Sequence, residues 1–283
     1  MIALDAHAKI NLTLEVLDKR MDGYHEIRSV MQTISLYDRL CFEEDQYLNF
    51  QCADSNWVAN KSLVSRTAEL LKCHMGMQQG AKITVDKCIP LSSGLGGDSS
   101  DAVAVLRGLV RLWGGNVADS DLAGLAATLG SDMPFFFSGG TALASGRGEI
   151  ITALPEISCV WLVLLFPQVP CLTSKTATMY SLLRPEHFTC GENTDALAAR
   201  LGHGATVTSG DMFNVFEKVA KLAFSGLEQC WMNFQQIAGV PVHLAGAGPT
   251  LFTLFDDEIT ARHIQQRLHD AGMNACVAVT CGI

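Results

Sequence analysis

One stretch constrains this chain more than any other: Pro90-Leu91-Ser92-Ser93-Gly94-Leu95-Gly96-Gly97-Asp98-Ser99-Ser100. A short strand at residues 83–85 precedes it. After it, Ala102, Val105, Leu106, Leu109 and Trp113 recur at the spacing of one helix face, so the pattern predicts a helix over residues 99–113. Gly114-Gly115 ends that helix. Strand, glycine-rich loop, helix is a phosphate-binding layout. Glycines let the backbone approach an anion, and the free amides and dipole of the helix start attract it. The loop is not a Walker A, because no Gly-Lys-Ser/Thr closes it. It is not G-x-G-x-x-G either, because Ser99 stands at the third glycine position. On glycine content alone, an ordinary flexible loop before a helix fits as well.

The rest of the chain mixes strands and helices. Over residues 10–16, Ile10, Leu12, Leu14 and Val16 alternate with Lys9, Asn11, Thr13 and Glu15. Period two predicts a half-buried strand with Lys9 and Asn11 side by side on its polar face. A polar turn at 18–23 leads into Tyr24-His25-Glu26, then strand at 30–42, a helix at 63–73, and a helix starting at Asp119 or Ser120 and stopping at Gly130. Ser131-Asp132-Met133-Pro134, an apolar run at 135–137 and a strand pair at 141–151 follow. A boundary at 153–158 divides the chain into domains 1–155 and 156–283. The second half holds a buried strand at 161–166, a late helix at 259–271 and a second glycine turn, Gly246-Ala247-Gly248-Pro249-Thr250.

A net charge of −9 leaves no basic footprint for nucleic acid and no polybasic membrane patch. An acidic chain that binds an anion must build a local positive site from amides, helix ends and a few lysines. The most apolar run, 160–166, is too short to span a bilayer. The ten cysteines form no C-x-x-C pair and no zinc spacing, and read as reduced, mostly buried thiols of a cytoplasmic protein. The N-terminus opens directly on a strand, with no targeting segment expected.

Taken in order, three motifs resemble those of the GHMP kinases: Ala8-Lys9-Ile10-Asn11-Leu12, then Pro90-x3-Gly94-Leu95-Gly96-Gly97-x-Ser99-Ser100, then Gly246-Ala247-Gly248-Pro249-Thr250. Asp22-Gly23-Tyr24-His25-Glu26 narrows the resemblance to the diphosphocytidyl-methylerythritol kinases. Gly130-Ser131-Asp132-Met133-Pro134-Phe135, Gly146-Arg147-Gly148-Glu149 and Asn214-Val215-Phe216-Glu217 fit the same family. The resemblance implies an α+β, two-domain GHMP kinase fold. Its N-terminal domain would be like the second domain of ribosomal protein S5, its C-terminal domain ferredoxin-like, with the active site in the cleft between them.

It also implies a reaction: ATP, with Mg2+, phosphorylates the 2-hydroxyl of 4-(cytidine 5′-diphospho)-2-C-methyl-D-erythritol in the non-mevalonate isoprenoid pathway. By the family's pattern Lys9 and Asp132 carry the chemistry. Asn60 and Lys87 border the adenosine, and Pro90, Gly94, Leu95, Gly96, Gly97, Ser99 and Ser100 belong to the ATP site, with Ser100 the candidate hydroxyl near magnesium. Tyr24 and Tyr180 sandwich the cytosine, His25 bonds the base edge, and Asn11 and Thr176 contact the substrate. The implied partners are these two small molecules, with no nucleic acid and no membrane, in a monomer or homodimer. Each charged residue has a blander reading as a solvated strand or turn residue.

The resemblance departs at Asp98, where many relatives carry a small residue. Asp98 is expected to cap the helix, with Asp101 in a capping-box-like place, or else to sit by the metal. Two rival functions stay open: a relative acting on another alcohol such as mevalonate or homoserine, and a catalytically dead nucleotide or sugar sensor.

Overall fold

The structure is a computed structural model and describes residues 1–282. Its strands are β1 (Ile2–Asn11), β2 (Thr13–Lys19), β3 (His25–Asp45), β4 (Leu48–Cys52), β5 (Gly80–Asp86), β6 (Thr141–Gly146), β7 (Ile150–Ala153), β8 (Trp161–Leu165), β9 (Phe213–Asn214), β10 (His243–Leu244), β11 (Leu251–Phe255) and β12 (Ala275–Val279). Its helices are α1 (Leu63–His74), α2 (Gly97–Leu112), α3 (Asp119–Ala127), α4 (Phe135–Ser138), α5 (Lys175–Leu182), α6 (Glu192–Gly202), α7 (Glu217–Ala223), α8 (Leu227–Ala238) and α9 (Glu258–Asp270).

The chain forms two compact units that interleave in sequence. One holds Met1–Ala8, Leu36–Leu91 and Gly96–Ser138; the other holds Lys9–Ser35, Ser92–Leu95 and residues 139–282. Contiguous halves at 1–155 and 156–283 do not describe this division, because the long strands β1 and β3 each begin in one unit and end in the other.

In the first unit, the end of β3 pairs antiparallel with β5, and β4 lies parallel to β5. Helices α1 and α2 pack together, and Val64, Ala68, Leu71, Ala102, Val105, Leu106 and Leu109 on them are all buried. Gly108 is required in the middle of α2, since a Cβ there would meet the Phe42 ring at 2.5 Å. In the second unit β3 pairs with β2 and β6, and β6 with β7. A separate antiparallel sheet runs in the order β10-β11-β8-β12. A core that includes Val163, Leu165, Phe216, Trp231, Phe234 and Leu251 lies between that sheet and its helices.

Four expectations need correction. Residues 9–16 are buried on both faces, including Lys9, Asn11, Thr13 and Glu15. The polar face is covered because α6 docks its N-terminus on Glu15 and β9 pairs along β2. The N-cap of α2 is Gly96, at φ 77°, not Asp98; the left-handed turn out of the loop needs glycine there, which leaves Asp98 exposed in the first helical turn. Ala118 rather than Asp119 or Ser120 precedes α3, and Asp119 instead accepts a bond from Arg107 at 2.6 Å. The cysteines carry free thiols as expected, but Cys73, Cys88, Cys159, Cys171 and Cys190 are exposed and the other five half-buried. Among the described residues no helix is long and apolar enough to cross a membrane.

Candidate active site

The first turn of the glycine-rich loop, residues 92–95, belongs to the second unit and is shaped there by the other two motifs. Lys9 N–H donates to Leu95 O at 2.9 Å, and Thr250 N–H donates to Ser93 O at 3.3 Å. Gly94 and Gly248 meet backbone to backbone. A Cβ on Gly248 would lie 2.2 Å from Ser93 O, and one on Gly94 2.6 Å from Gly248 N, so neither place accepts a side chain. Asn214 locks the third motif by donating to Leu244 O and Gly246 O at 2.9 and 3.0 Å.

Beside this turn, Lys9 Nζ donates to Asn11 Oδ1 at 2.5 Å, and Asn11 Nδ2 to Ser29 Oγ at 2.6 Å. Ser29 in turn donates to Thr13 O at 2.5 Å. A Cβ on Gly246 would stand 3.7 Å from Lys9 Nζ, so the first and third motifs meet around this ammonium. Strand alternation put Lys9 and Asn11 on one face; the third member, Ser29, comes from β3 and left no local signal.

The turn carrying Tyr24 and His25 is braced by charge. Arg20 pairs with Asp22 and Glu26, Tyr24 N–H donates to Asp22 Oδ1 at 3.1 Å, and Glu26 Oε1 accepts Gly146 N–H at 3.1 Å. Tyr24 is 53% exposed, and the Arg147 guanidinium lies 4.8 Å from its ring centre. Burial, then the charge of Lys19, lowers the His25 pKa, so the imidazole is neutral at pH 7. Its ring stacks on Tyr180 at 4.8 Å and 17°, and Tyr180 meets Phe216 edge-on. Thr176 is exposed on α5 with Tyr180 four residues further along. Tyr180 and His25, distant in sequence, are thus brought together.

In the first unit, the N-terminus of α2 presents Gly97, Asp98 and Ser99, with Ser100 buried and bonded through its N–H to Gly96 O. Under it lies a buried ionic group that the sequence did not reveal. Lys87 Nζ donates to Asp38 Oδ2 at 2.5 Å and Asp101 Oδ2 at 2.9 Å, and the side chains are 4%, 0% and 0% exposed. Asp38 Oδ1 also takes the N–H groups of Cys88 and Ile89, just before Pro90. Burial works against the Lys87 charge, but Asp101 and Asp38 together raise its pKa. Asp101, the second acid on one ammonium, has its pKa pushed by burial up to about 8. Gly97 rests on this group, for a Cβ there would come within 3.4 Å of Lys87 Nζ.

An open hollow of about 610 Å³ in the same unit is lined by Phe50, Cys52, Trp57, Ala59 and Thr84 among others. Trp57 Nε1 is buried there without a hydrogen-bond partner. Asn60 is exposed in the short helical turn beside Ala59. Asp132 is half-buried in the turn between α3 and α4.

Residues 62–140 match the GHMP kinases N terminal domain, a stretch that contains α1, the glycine-rich loop and Asp132. Over 282 residues the chain is 45% identical to 4-diphosphocytidyl-2-C-methyl-D-erythritol kinase of Dehalococcoides mccartyi, spanning 100% of this chain and 99% of that protein. The chain belongs to the 4-diphosphocytidyl-2-C-methyl-D-erythritol kinase family. The enzyme of that name from Symbiobacterium thermophilum is 36% identical over 98% of this chain and 99% of its own length. A crystal structure of 4-(cytidine 5′-diphospho)-2C-methyl-D-erythritol kinase superposes with a TM-score of 0.83 at 31% identity, covering all of both chains. Homoserine kinase from Cytophaga hutchinsonii shares the fold alone, with a TM-score of 0.71 at 16% identity over 100% of this chain and 96% of its own. The kinase family's α+β architecture therefore extends over the whole chain, as the three motifs implied.

Proposed function

We propose that this chain is a cytoplasmic enzyme that transfers the γ-phosphoryl group of ATP to the 2-hydroxyl of 4-(cytidine 5′-diphospho)-2-C-methyl-D-erythritol, in the non-mevalonate pathway. The observation that carries this reading is the full-length likeness to kinases of that name, joined to a braced Tyr24-His25 turn of the kind a pyrimidine needs.

A hydroxyl is a weak nucleophile. Asp132 accepts or orients its proton, and the Lys9 ammonium, aimed by Asn11 and Ser29, stabilises charge that grows on the phosphoryl oxygens. The phosphates lie on the amides of Gly94, Leu95, Gly96 and Gly97 and on the N-terminus of α2, whose dipole favours anions. The base stacks on Tyr24, and neutral His25 offers both a donor and an acceptor to its edge. Tyr180 gives the second stack once the imidazole, which covers one face of its ring, swings aside to the base edge. Asn11 and Thr176 contact the alcohol end. The adenosine takes the hollow beside Trp57, bordered by Asn60 and by Lys87, which its two carboxylates hold in place.

No cluster of three or more acidic, His or Cys ligands exists among the described residues, which suits Mg2+ held chiefly by phosphate and water with the Ser100 hydroxyl nearby. Bound there, the ion would neutralise phosphate charge.

An ADP-release assay across a panel of alcohols tests the assignment. Turnover of the cytidine diphosphate substrate is expected, with little on mevalonate or homoserine; equal rates on either alcohol overturn it. Asp132→Asn keeps shape and removes the charge, so kcat should fall by about 10²–10⁴ with substrate binding kept. A near-normal kcat removes Asp132 from the chemistry.

A further inference from the structure

Two non-glycine residues among those described have left-handed backbones: Ser92 at φ 57° and Ser174 at φ 52°. Such residues persist only where the surroundings hold them, and they gather at functional sites. One of them, Ser92, accepts a hydrogen bond from the residue next to the other. Lys175, directly after Ser174, donates Nζ to Ser92 O at 3.0 Å. Ser174 precedes α5, and its left-handed turn sets Lys175 as the first helical residue, facing the loop.

A hydrogen bond to an exposed turn carbonyl does not by itself account for this. Water serves such a carbonyl equally well, and ordering a lysine side chain costs rotamer entropy. What the contact achieves is placement: it puts a positive charge on the backbone of residues 92–95, in a chain of net charge −9. The lysine below the other end of the loop, Lys87, faces two carboxylates, so that group offers an anion no net attraction.

We propose that Lys175 is a phosphate-binding residue of the loop, its ammonium held on Ser92 O to contact the diphosphate group of a bound ligand. The inference rests on the phosphotransfer reading above. Two ligands carry that chemistry, ATP and the cytidine diphosphate substrate, and Lys175 reaches the loop from the first position of the helix bearing Thr176 and Tyr180.

The test is calorimetric titration of ADP, CDP, adenosine and cytidine into wild type, Lys175→Met and Lys175→Arg, with melting curves to confirm folding. A charge-assisted bond to phosphate predicts a loss of about ten- to a hundredfold for one diphosphate in Lys175→Met. The matching nucleoside should be unaffected, and Lys175→Arg should recover part of the loss. Movement of the ADP arm assigns Lys175 to the ATP phosphates, and of the CDP arm to the substrate. Diphosphate affinities within twofold of wild type overturn the proposal, as does an equal loss for the nucleosides, which a merely structural role would give. If wild type itself binds neither diphosphate, the phosphotransfer reading falls first and takes this inference with it.

Discussion

Glu15 and Asp101 are both carboxylates with no solvent exposure, yet their acidities move in opposite directions. Glu15 Oε1 accepts Asn193 Nδ2 at 2.9 Å, and Oε2 accepts Thr194 N–H at 2.7 Å, at the start of α6. Burial pushes its pKa up, but these bonds outweigh burial and hold it below the usual 4.5. Asp101 has one partner for Oδ2, the ammonium it shares with Asp38, and none for Oδ1, and its pKa goes to about 8. Both lie out of solvent, but Asp101 sits deeper among protein atoms and faces a second carboxylate, Asp38, while Glu15 has more of its acceptor sites filled at the start of α6.

That contrast can be broken by mutation. The largest effect is expected for Asp38→Ala. It strips two backbone N–H groups of their acceptor and leaves Lys87 with Asp101 alone, a loss of about 3–5 kcal/mol by denaturant unfolding. A loss under about 1 kcal/mol would show that Asp101 can replace Asp38.

Glu15→Gln comes next. It puts an amide against the N–H groups of α6 and should cost about 1–3 kcal/mol at pH 7. Because the folded pKa of Glu15 is lowered, its stabilisation is present above about pH 4.5 and is lost as pH falls through the native value. The variant should therefore lose less stability than wild type between about pH 4.5 and 2; parallel acid curves would remove Glu15 from this role.

Asp101→Asn is expected to do least. The amide oxygen still accepts from Lys87, and with a pKa of about 8 Asp101 is already mostly protonated at pH 7, so stability should change by less than about 1 kcal/mol, in either direction. A loss as large as that of Asp38→Ala would show the two acids to be equal partners.

Much of this was legible in the sequence, for reasons of range. The loop, α2 and α9 announce themselves through local spacing, and each helix lies within two residues of its predicted bounds. Lys9, Asn11 and the glycine turns were legible because three motifs stand in order. The remainder depends on contacts between distant residues. Asp38 reads as one more polar residue of β3 until β5 and α2 are folded around it. Glu15 reads as solvent-facing because alternation reports one covered face, and α6 is a remote segment that covers the other. Asp98 failed as a cap because the left-handed turn at Gly96 outranked a good capping side chain. Lys175 carried no signal, since its partner is a backbone carbonyl.

The backbone contact between Gly94 and Gly248 also has a consequence in time. A ribosome delivers the chain from its N-terminus, so the turn at residues 92–95 emerges long before the segment that moulds it. Until that segment arrives, the amides of the turn are present without the curvature it gives them. The turn then takes its final shape only after residues 246–250 leave the exit tunnel, and chains released before that point lack it.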